Sequence, residues 1–333
     1  TYNITHVGCY DNCIGVKYVD DVYVLFSETD IGTMYIPKEW GGMGFTNDTL
    51  TILKINTSLG DNSLTVDFQG NVDRSQEIQP TVIDWGDGTV EERVVGGAKP
   101  LHTYANHGIY TIKFNSSTLG KTRDRQPLNG NIRQKIIEVL KVSRKVRSYY
   151  GVADVTSLNS AFNGYENLKY VNLEGIDKDL VYDTNSLFKN VSKSTSLEIV
   201  VGETPIKTSN ASSMFYGCTN ISSIDISGFD FSNCTTLDQF VQNCTSLTSI
   251  DFTGHNLSNL ISMNGAFAEC SSLTEIIGFG EIYTPNLAEM KQAFKRCSAL
   301  TSLDLSGLRP NNPVFSVDSG SQTFRDARLF YGC

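Results

Sequence analysis

The amino-acid sequence predicts a mainly β protein with short helices, built from an N-terminal β segment, a β-sandwich and a repeat solenoid with a parallel sheet. Two observations predict this fold class. A motif of about 15 residues recurs through the second half of the chain, and the run from Val82 to Phe114 has the alternation and turn residues of two β-hairpins. The expected boundaries are 1–48 for the N-terminal segment, 49–118 for the sandwich, 119–150 for a linker with capping strands and 151–333 for the solenoid.

The composition is that of a globular, acidic chain. Of its 333 residues 40% are hydrophobic, and 36 Asp and Glu outnumber 27 Lys and Arg to give a net charge of -9. Because nucleic acids and anionic membranes attract clustered Lys and Arg, this balance argues against both as partners. No run of about 18 apolar residues is present, so we expect no membrane-spanning helix and no signal peptide in the sequence, and a start at Thr1 indicates a processed or trimmed terminus.

Asn-x-Ser/Thr sequences are frequent along the chain. They fit two interpretations, chance in a sequence rich in Asn, Ser and Thr or N-glycosylation of an exported protein, and the sequence does not separate the two. They begin at Asn3, Asn47, Asn56, Asn115, Asn190, Asn210, Asn220, Asn233, Asn243 and Asn256.

The N-terminal segment, residues 1–48, is predicted to be β from the run VKYVDDVYVLF, in which apolar and polar residues alternate. It is either a small β domain or a set of strands that docks on a larger assembly. Cys9 and Cys13 flank the short run CYDNC, where a local disulfide and two free thiols are equally compatible with the sequence.

The sandwich is predicted from its hairpin signals. Asp87-Gly88 lies between the strand-like runs TVIDW and TVEERVV, which predicts a type I′ turn with positive φ at both central positions. A second hairpin is expected around the run HTY at His102 and the alternating Tyr110 and Ile112.

The same runs carry a resemblance. WGDGT at Trp85 to Thr89, and HTY with a following G-x-Y-x-I from His102 to Ile112, closely resemble the polycystic-kidney-disease (PKD) type of β-sandwich over about 70 residues. The resemblance implies a spacer or interaction module with no catalytic role. From the residues we expect Trp85 to be a core residue rather than a sugar-binding platform, Asp87 to accept hydrogen bonds from its own turn, and Gly88 to serve the turn geometry.

The solenoid is predicted from the repeat itself, which recurs with a period of about 26 residues, inside the range of stacked supersecondary units. The run IRQKIIEVLKVSRKVRSYYG before it reads as the first strands that cap the array. The aligned units are AFNGYENLKYVNLEG from Ala161, LFKNVSKSTSLEIVVG from Leu187, MFYGCTNISSIDISG from Met214, FVQNCTSLTSIDFTG from Phe240, AFAECSSLTEIIGFG from Ala266 and AFKRCSALTSLDLSG from Ala293.

Each unit changes its hydrophobic period halfway. Phe215, Cys218 and Ile221 are spaced by three, as on one side of a helical turn, which predicts one turn or a short helix. Ile224 and Ile226 alternate with polar residues, which predicts a short strand. Neighbouring strands are expected to form a parallel sheet, because a single unit cannot bury its apolar side alone. Glycines after the strands are expected to need positive φ, namely Gly228, Gly254, Gly280 and Gly307.

Units of this form resemble the BspA-type leucine-rich repeats of bacterial surface proteins, which also occur in protist surface proteins and some phage proteins. The resemblance covers about residues 150 to 333 and implies a leucine-rich-repeat solenoid used for binding at a surface. The sequence departs from the pattern at Val191, at Val241 and in the polar run from Pro310, where distorted units or a protruding loop are expected.

The last residues, LFYGC from Leu329 to Cys333, align with MFYGC at Met214 and so begin a further unit. The strand expected around Leu303 and Leu305 would then present an open edge, to be completed by further protein or by a partner. If residues 310–325 cover that edge, a role in assembly for this end is wrong.

Five of the eight cysteines fall in one repeat column and are expected to point inward as small buried residues, although the spacing of adjacent units does not forbid disulfides. Cys234 lies off this column, and with no Cys-x-x-Cys pair and only four His no zinc site is expected. The column consists of Cys218, Cys244, Cys270, Cys297 and Cys333.

Exposed polar residues between the buried strand positions form the candidate ligand-binding face. Stacked carboxylates repel one another, so they require either hydrogen bonds from neighbouring hydroxyls and turn amides or a weakly bound calcium ion or cationic ligand. No metal ligand set and no cofactor is otherwise expected. The candidate residues are Asn172, Ser223, Asp225, Ser249, Asp251, Ser302 and Asp304.

The sequence contains none of the common hydrolase, phosphate-loop or metalloprotease motifs, and a Cys234–His255 nucleophile pair is only weakly suggested. We therefore expect a non-enzymatic adhesion or assembly protein, extracellular or displayed on a cell or virion surface, that binds protein or glycan through its solenoid. The alternatives are a phage structural or receptor-binding protein and an accessory module of a glycan-processing enzyme. Homo-oligomers or assembly neighbours are possible partners.

Overall fold

The computed structural model describes residues 51–67, 82–92, 101–114, 131–142, 157–308 and 332–333, together with the backbone of five further strands. The protein is mainly β, and its repeat region is a solenoid of parallel strands, which confirms these two parts of the predicted fold class; the β-sandwich stays a prediction. Within the described residues there is one α-helix, α1 (Ile132–Lys135), and no helix is long and apolar enough to span a membrane.

In the N-terminal segment three antiparallel strands form a sheet of order β1-β2-β3. They are β1 (Cys13–Val19), β2 (Val22–Ser27) and β3 (Met34–Pro37). The possible Cys9–Cys13 disulfide lies outside the described side chains.

The next strands pair antiparallel. The strand β4 pairs with β9, β9 with β6 and β6 with β7, whereas β5 and β8 form a separate two-stranded sheet. Their bounds are β4 (Thr51–Asn56), β5 (Thr65–Asp67), β6 (Val82–Asp84), β7 (Val90–Glu92), β8 (Leu101–Thr103) and β9 (Ile109–Phe114). We call these six strands the antiparallel region.

The strand β10 (Ile136–Lys141) joins this region to the solenoid. It pairs antiparallel with β4 on one side and parallel with the first strand of the repeats on the other. One seven-stranded sheet, of order β15-β13-β10-β4-β9-β6-β7, therefore crosses from one part of the molecule to the other. The buried apolar residues of both parts also form a single cluster.

The solenoid strands are short, because a strand forms only one side of each repeat unit. Two sets stack on two different sides of the solenoid: β13 and β15 on one side, and β14, β16 and β17 on another. The bounds are β11 (Lys145–Ser148), β12 (Gly151–Asp154), β13 (Tyr170–Asn172), β14 (Val181–Asp183), β15 (Glu198–Val200), β16 (Ile206–Asn210), β17 (Phe229–Asp230), β18 (Ser249–Asp251) and β19 (Glu275–Ile277).

The third side of each rung, meaning each unit of the repeat, consists of tight turns, so of the two predicted alternatives the structure has the turn and not the short helix. In residues 211–218 the amides of Met214, Tyr216 and Cys218 donate to the carbonyl three residues back, at 3.1 to 3.2 Å. The alternate amides, such as those of Phe215 and Gly217, donate instead to the next rung at 2.9 Å. The spacing of three therefore reflects consecutive turns, in which alternate amides donate to the neighbouring rung.

This alternation requires left-handed backbone at two positions in each rung. Residues of many types adopt it, and φ reaches 65° at Glu269 and 59° at Arg296. Two columns are formed, one of Ser160, Ser186, Ser213, Gln239, Gly265 and Gln292, the other of Gly164, Asn190, Gly217, Asn243, Glu269 and Arg296.

The glycines that follow the strands have a different role from the one expected. Of the four, only Gly254 has positive φ, at 76°. The others are required by close packing: a Cβ on Gly228 would lie 2.7 Å from Val201 Cγ2, and one on Gly307 would meet the carbonyl oxygen of Ile282. The expectation of positive φ is thus wrong for three of the four positions, including Gly280.

The interior of the solenoid contains two ladders. Stacked rings are separated by 5.4 Å between Phe162 and Phe188, and by the same distance between Phe188 and Phe215. At the next rung Val241 keeps the backbone position of the column, while the ring of Phe240 lies 5.7 Å from Phe215. Phe240 in turn contacts Phe252, whose ring lies 6.1 Å from Phe267, so the ring contacts continue past this rung through a residue outside the column.

The second ladder consists of the cysteines. Cys244 Sγ donates to the carbonyl of Phe215 at 3.1 Å, and Cys270 Sγ donates to that of Val241 at 3.1 Å, so each thiol binds the preceding rung. The cysteines of this column are free, and all except Cys333 are buried. Burial raises the pKa of Cys244 and Cys270 well above the ordinary thiol value, so these thiols are protonated at neutral pH.

The last described residues continue the register of the repeats. Gly332 has φ of 78°, as in the second left-handed column, and Cys333 Sγ donates to the carbonyl of Phe294 at 2.7 Å. The alignment of LFYGC with the start of a unit therefore has the expected geometry at these two residues. Residues 301–308 contain no strand, and the predicted covering segment, 310–325, lies outside the described residues.

In the antiparallel region β6 and β7 form the expected hairpin, but its turn differs. The amide of Trp85 donates to the carbonyl of Thr89 at 3.0 Å, and positive φ occurs at Gly86 and Gly88 and not at Asp87. The predicted type I′ turn at Asp87-Gly88 is therefore wrong, and a five-residue loop replaces it.

The residues behind the PKD resemblance contact one another. Trp85 is fully buried, its carbonyl accepts the hydroxyl of Tyr104 at 2.8 Å, and its ring stacks on His102 at 4.8 Å. His102 Nε2 lies 2.7 Å from Asp87 Oδ2, while the other carboxylate oxygen of Asp87 accepts the amide of Thr89. The two sequence runs thus fix one loop against the core.

A buried cation links α1 to the loop after β4. Lys135 is fully buried, and its ammonium group donates to the carbonyls of Thr57 and Leu59 and, at 2.7 Å, to Asp61 Oδ1. Burial alone would raise the pKa of Asp61, but the hydrogen bonds from Lys135 and from the amide of Ser63 outweigh it and lower the pKa to about 2. All three donors of the ammonium group are used, as a buried charge requires.

Candidate ligand-binding face

The candidate site is the exposed side of β13, β15, β18 and β19 and of the equivalent residues 222–226, which we call the sheet face. Strand pairing and the repeat register arrange its side chains in two columns. The first contains Tyr170, Glu198, Ser223, Ser249 and Glu275, and the second contains Asn172, Val200, Asp225, Asp251 and Ile277.

The structure brings some of the predicted residues together and separates others. The bridge between Ser223 and Ser249 places Asp225 beside Asp251. Asn172 is paired with Val200, and Asp251 with Ile277, so apolar residues interrupt the expected stack of carboxylates. Ser302 and Asp304 are exposed but lie outside the paired strands.

Each polar residue of the second column fixes its own turn. Asp251 Oδ1 accepts the amide of Thr253 at 2.7 Å, and Asp225 Oδ1 accepts that of Ser227 at 2.9 Å. The hydroxyl and amide of Thr253 lower the pKa of Asp251. Asn172 and Asp304 make the same contact with the amide two residues on, at 2.8 Å.

A metal ion has no ready site in this arrangement. Across the described residues no group of three or more His, Cys, Asp or Glu side chains is placed to hold one. The carboxylates of the column instead accept hydrogen bonds from the amides and hydroxyls of their own turns.

The suggested Cys234–His255 pair is not assembled. Cys234 Sγ donates to the carbonyl of Thr236, and burial raises the pKa of this thiol to about 11. The ring of His255 instead packs edge-on against Phe231 and Phe252. Because the thiolate is the reactive form of cysteine, Cys234 lacks the features of a nucleophile.

Among the described residues, the backbone ladder of the sheet face stops beyond β19, and it is interrupted within the face between β15 and residues 221–226. On the near side the amide of Glu198 donates to Lys169, and the carbonyl of Val200 accepts from Leu173, at 2.9 and 2.7 Å. On the far side the carbonyl of Ser222 accepts from Thr248 at 3.1 Å. Within the part of the chain that the structure describes, no backbone hydrogen bond joins residues 196–201 to residues 221–226, and β15 is the edge of its sheet.

The interruption is confined to this side of the solenoid. At the same level the amide of Ile206 donates to Gly228 at 2.9 Å, and that of Phe188 donates to Met214 at 2.8 Å. The two rungs therefore remain joined along their other sides, and only the sheet face is open between them.

A groove of about 580 Å³ lies on the sheet face at this interruption. It extends from β10 across β13 and β15 to the first residues of the next rung, where the predicted Ser223 and Asp225 form its far wall. The residues that set its chemistry are Glu138, Lys169, Tyr170, Leu197, Glu198 and Asp225.

Only Asp225 among these six was predicted from the sequence, and the other five were not. Glu138, Tyr170 and Glu198 are paired in one row across β10, β13 and β15. Burial raises the pKa of Tyr170, and the charges of Glu198, Glu174 and Glu138 add to the effect. Tyr170 and Glu198 occupy the same repeat position as Ser223 and could have been found by reading down that column.

Comparison with known proteins gives one family match. Residues 156–278 and 185–308 match the model of a family described as "Mycoplasma protein of unknown function, DUF285". The matched residues are all in the solenoid and make up less than half of the chain, so the similarity concerns the repeats and not the antiparallel region. No curated protein and no solved structure matches the chain.

Proposed function

We propose that this protein is a non-enzymatic adhesion or assembly protein that binds a protein or glycan through the sheet face of its solenoid. The observation that carries the proposal is the groove of about 580 Å³ on a face where side chains are held in fixed columns. Turn contacts such as those of Asp225 and Asp251 fix these side chains before a ligand arrives. Preorganised groups lose little conformational entropy on binding.

The two resemblances in the sequence support display outside a cell. The repeats resemble BspA-type leucine-rich repeats of surface proteins, and the loop around Trp85 and Asp87 resembles the PKD type of sandwich, a spacer or interaction module. In this proposal the antiparallel region holds the solenoid away from its attachment point. A place on a virion, as a structural or receptor-binding protein, fits the same surface.

Binding by the sheet face is tested with a double variant. The purified protein is immobilised and exposed to panels of matrix proteins and polysaccharides, and the ligands that are retained are then measured against Ser223→Arg/Ser249→Arg. We expect this variant to lose most of the binding, because two long charged side chains then cover the centre of the face. Asn233→Arg/Ala288→Arg, with the same added charge on exposed residues outside the face, is expected to bind normally.

Release of new reducing ends from the polysaccharides is measured in parallel. Turnover would contradict the non-enzymatic proposal and favour the alternative, an accessory module of a glycan-processing enzyme. Equal binding by the two double variants would show that the sheet face is not the binding surface.

A further inference from the structure

We propose that the groove at the interruption binds an extended, basic segment of a partner protein, with lysine or arginine side chains directed at Glu198 and Asp225. This inference rests on the proposed function and names the ligand class of the same face. It follows from three features of the groove: unpaired strand edges, uncompensated negative charge and an accessible tyrosine.

The strand edges supply backbone hydrogen bonds. In the sheet order β10-β13-β15 each neighbouring pair of strands is joined by backbone hydrogen bonds, and such bonds resume beyond Ser222. The amides and carbonyls along the gap therefore face a groove instead of a strand. Because the two rungs remain joined on their other sides, an incoming extended chain lies along the groove over the gap, where unpaired edge groups can form backbone hydrogen bonds with it. The edge of β15 spans three residues, Glu198–Val200, which suits a short segment.

The charge of the groove is negative on both sides of the gap. Glu138 is already bonded to Lys54, with Nζ and Oε2 2.6 Å apart. Of the described residues, none forms an ion pair with Glu198 or Asp225, which leaves Lys169 as the groove's one positive charge against these two carboxylates. A cation placed between Glu198 and Asp225 would therefore gain two charge-assisted contacts.

Tyr170 and Leu197 complete a site for a long cationic side chain. Tyr170 is half-buried in the row between Glu138 and Glu198, so its ring is flanked by carboxylates and open to the groove. A lysine or arginine can lay its methylene stem along Leu197 and place its charge over the ring. A glycan gains less here, because its hydroxyls are neutral and do not compensate the two carboxylates.

The test uses a labelled synthetic peptide of eight residues with alternating lysine and threonine, and a matched peptide with glutamate in place of lysine. Binding to the full chain is followed by fluorescence anisotropy at low and at physiological salt. We expect the lysine peptide to bind and the glutamate peptide to fail, and we expect the lysine peptide to weaken several-fold as salt rises, because partly exposed charges are screened.

Position is tested with matched double variants. Glu198→Gln/Asp225→Asn removes the two charges of the groove and is expected to weaken the lysine peptide about tenfold or more, as loss of charge-assisted contacts does. Glu275→Gln/Asp251→Asn removes the same charges from the same two columns beyond the groove and is expected to change the dissociation constant by less than about twofold. N-methylation of alternate peptide amides is expected to weaken binding too, because it removes the backbone donors.

Three results would overturn the inference. The first is equal binding of the two peptides, and the second is an equal loss of binding in the two double variants. The third is that the protein retains a neutral oligosaccharide but not the lysine peptide, and that Tyr170→Ala abolishes this retention. The last result would assign the groove to a glycan and leave the proposed function intact. Failure of the proposed function is separate, because it appears as unchanged ligand retention in Ser223→Arg/Ser249→Arg.

Discussion

The antiparallel region and the solenoid use opposite ways of satisfying polar groups in their interiors. In and beside the antiparallel region each buried polar contact occurs once and joins residues distant in sequence. Lys135 of α1, for example, donates to the carbonyls of Thr57 and Leu59 in the loop after β4. In the solenoid one solution is repeated, as when Cys244 and Cys270 each donate to the rung before them. A single change should therefore affect the first region as a whole and the second only locally, as nearest-neighbour stability predicts.

The comparison is tested most severely at Gly86. Its φ is 80°, and a Cβ there would meet the backbone carbonyl oxygen of Thr111 in β9, so Gly86→Ala combines left-handed strain with a backbone clash. We expect a loss of about 3 kcal/mol in the free energy of unfolding, measured by urea denaturation. Gly88→Ala is the control, since its φ is 93° but no atom lies within 4 Å of the added Cβ, and it should cost about 1 kcal/mol.

Hydrogen exchange shows whether that loss spreads. We expect Gly86→Ala to reduce amide protection throughout β4, β9 and β6 while leaving β18 and β19 unchanged. Equal loss of protection in both regions would break the comparison, because it would mean that the molecule unfolds as one unit.

The second prediction concerns the buried cation. Lys135→Met keeps the volume but removes three hydrogen bonds, and we expect a loss of about 2 kcal/mol, limited by the solvent exposure of Asp61. Lys54→Met breaks the more exposed pair with Glu138 and should cost less than about 0.5 kcal/mol. Similar urea midpoints for the two variants would show that burial of Lys135 has no special weight.

The third prediction addresses the cysteine ladder. Cys244→Ala leaves a small cavity and removes one of the two hydrogen bonds that the carbonyl of Phe215 accepts, since the amide of Cys218 still donates to it. We expect a loss of about 1 to 2 kcal/mol confined by hydrogen exchange to adjacent rungs. Reducing agent should leave the stability of the native protein unchanged at this column, since its thiols are free. A large loss of stability on reduction that maps to these rungs would contradict the structure.

The fourth prediction is a pH dependence. The pKa of Asp61 is lowered to about 2 from an ordinary value of 3.8, so its contribution to stability is present above about pH 4 and is lost as the pH falls toward 2. The exposed carboxylate makes this effect less than about 1 kcal/mol. The difference in stability between the native chain and Lys135→Met should shrink between pH 5 and pH 2, and a constant difference would show that Asp61 contributes nothing.

The smallest effect is expected in the turn columns. Gln292 has φ of 57°, so Gln292→Gly relieves left-handed strain and should stabilise its rung by about 0.5 kcal/mol after the entropic cost of glycine. Gln292→Ala keeps the strain and serves as the control. If the glycine variant is less stable than the native chain, the left-handed backbone at Gln292 carries no strain large enough to exceed the entropic cost of glycine.

The sequence predicted the columns of the solenoid better than the backbone between them. Phe188 and Phe215, and likewise Cys244 and Cys270, lie where the repeat placed them, because identical residues at a fixed period can pack only on their counterparts. The sequence left a turn and a short helix open, because a spacing of three fits both helices and consecutive turns. Only hydrogen-bond partners distinguish the two, and those lie one rung away.

The candidate site was predicted in part. Asp225 and Ser223 line the groove as predicted residues. Tyr170 and Glu198 were not predicted, because the expected site was built around the column of aspartates and they lie in the adjacent column. The interruption was not predicted, although the unit before it departs from the repeat pattern at Val191. It depends on how the irregular rung before Glu198 meets the next one, which is a property of three-dimensional stacking.

The strand β10 also bears on how such chains can change in length over evolution. It is bonded on one side to β4 and on the other to β13, so the start of the array is fixed to a structure that has no repeats. Duplication or deletion of a whole unit further along preserves every contact of this junction. Each event changes the length of the sheet face by one strand spacing, about 4.8 Å, and leaves the groove near β15 in place. Selection can thus change how far the solenoid extends without altering the groove.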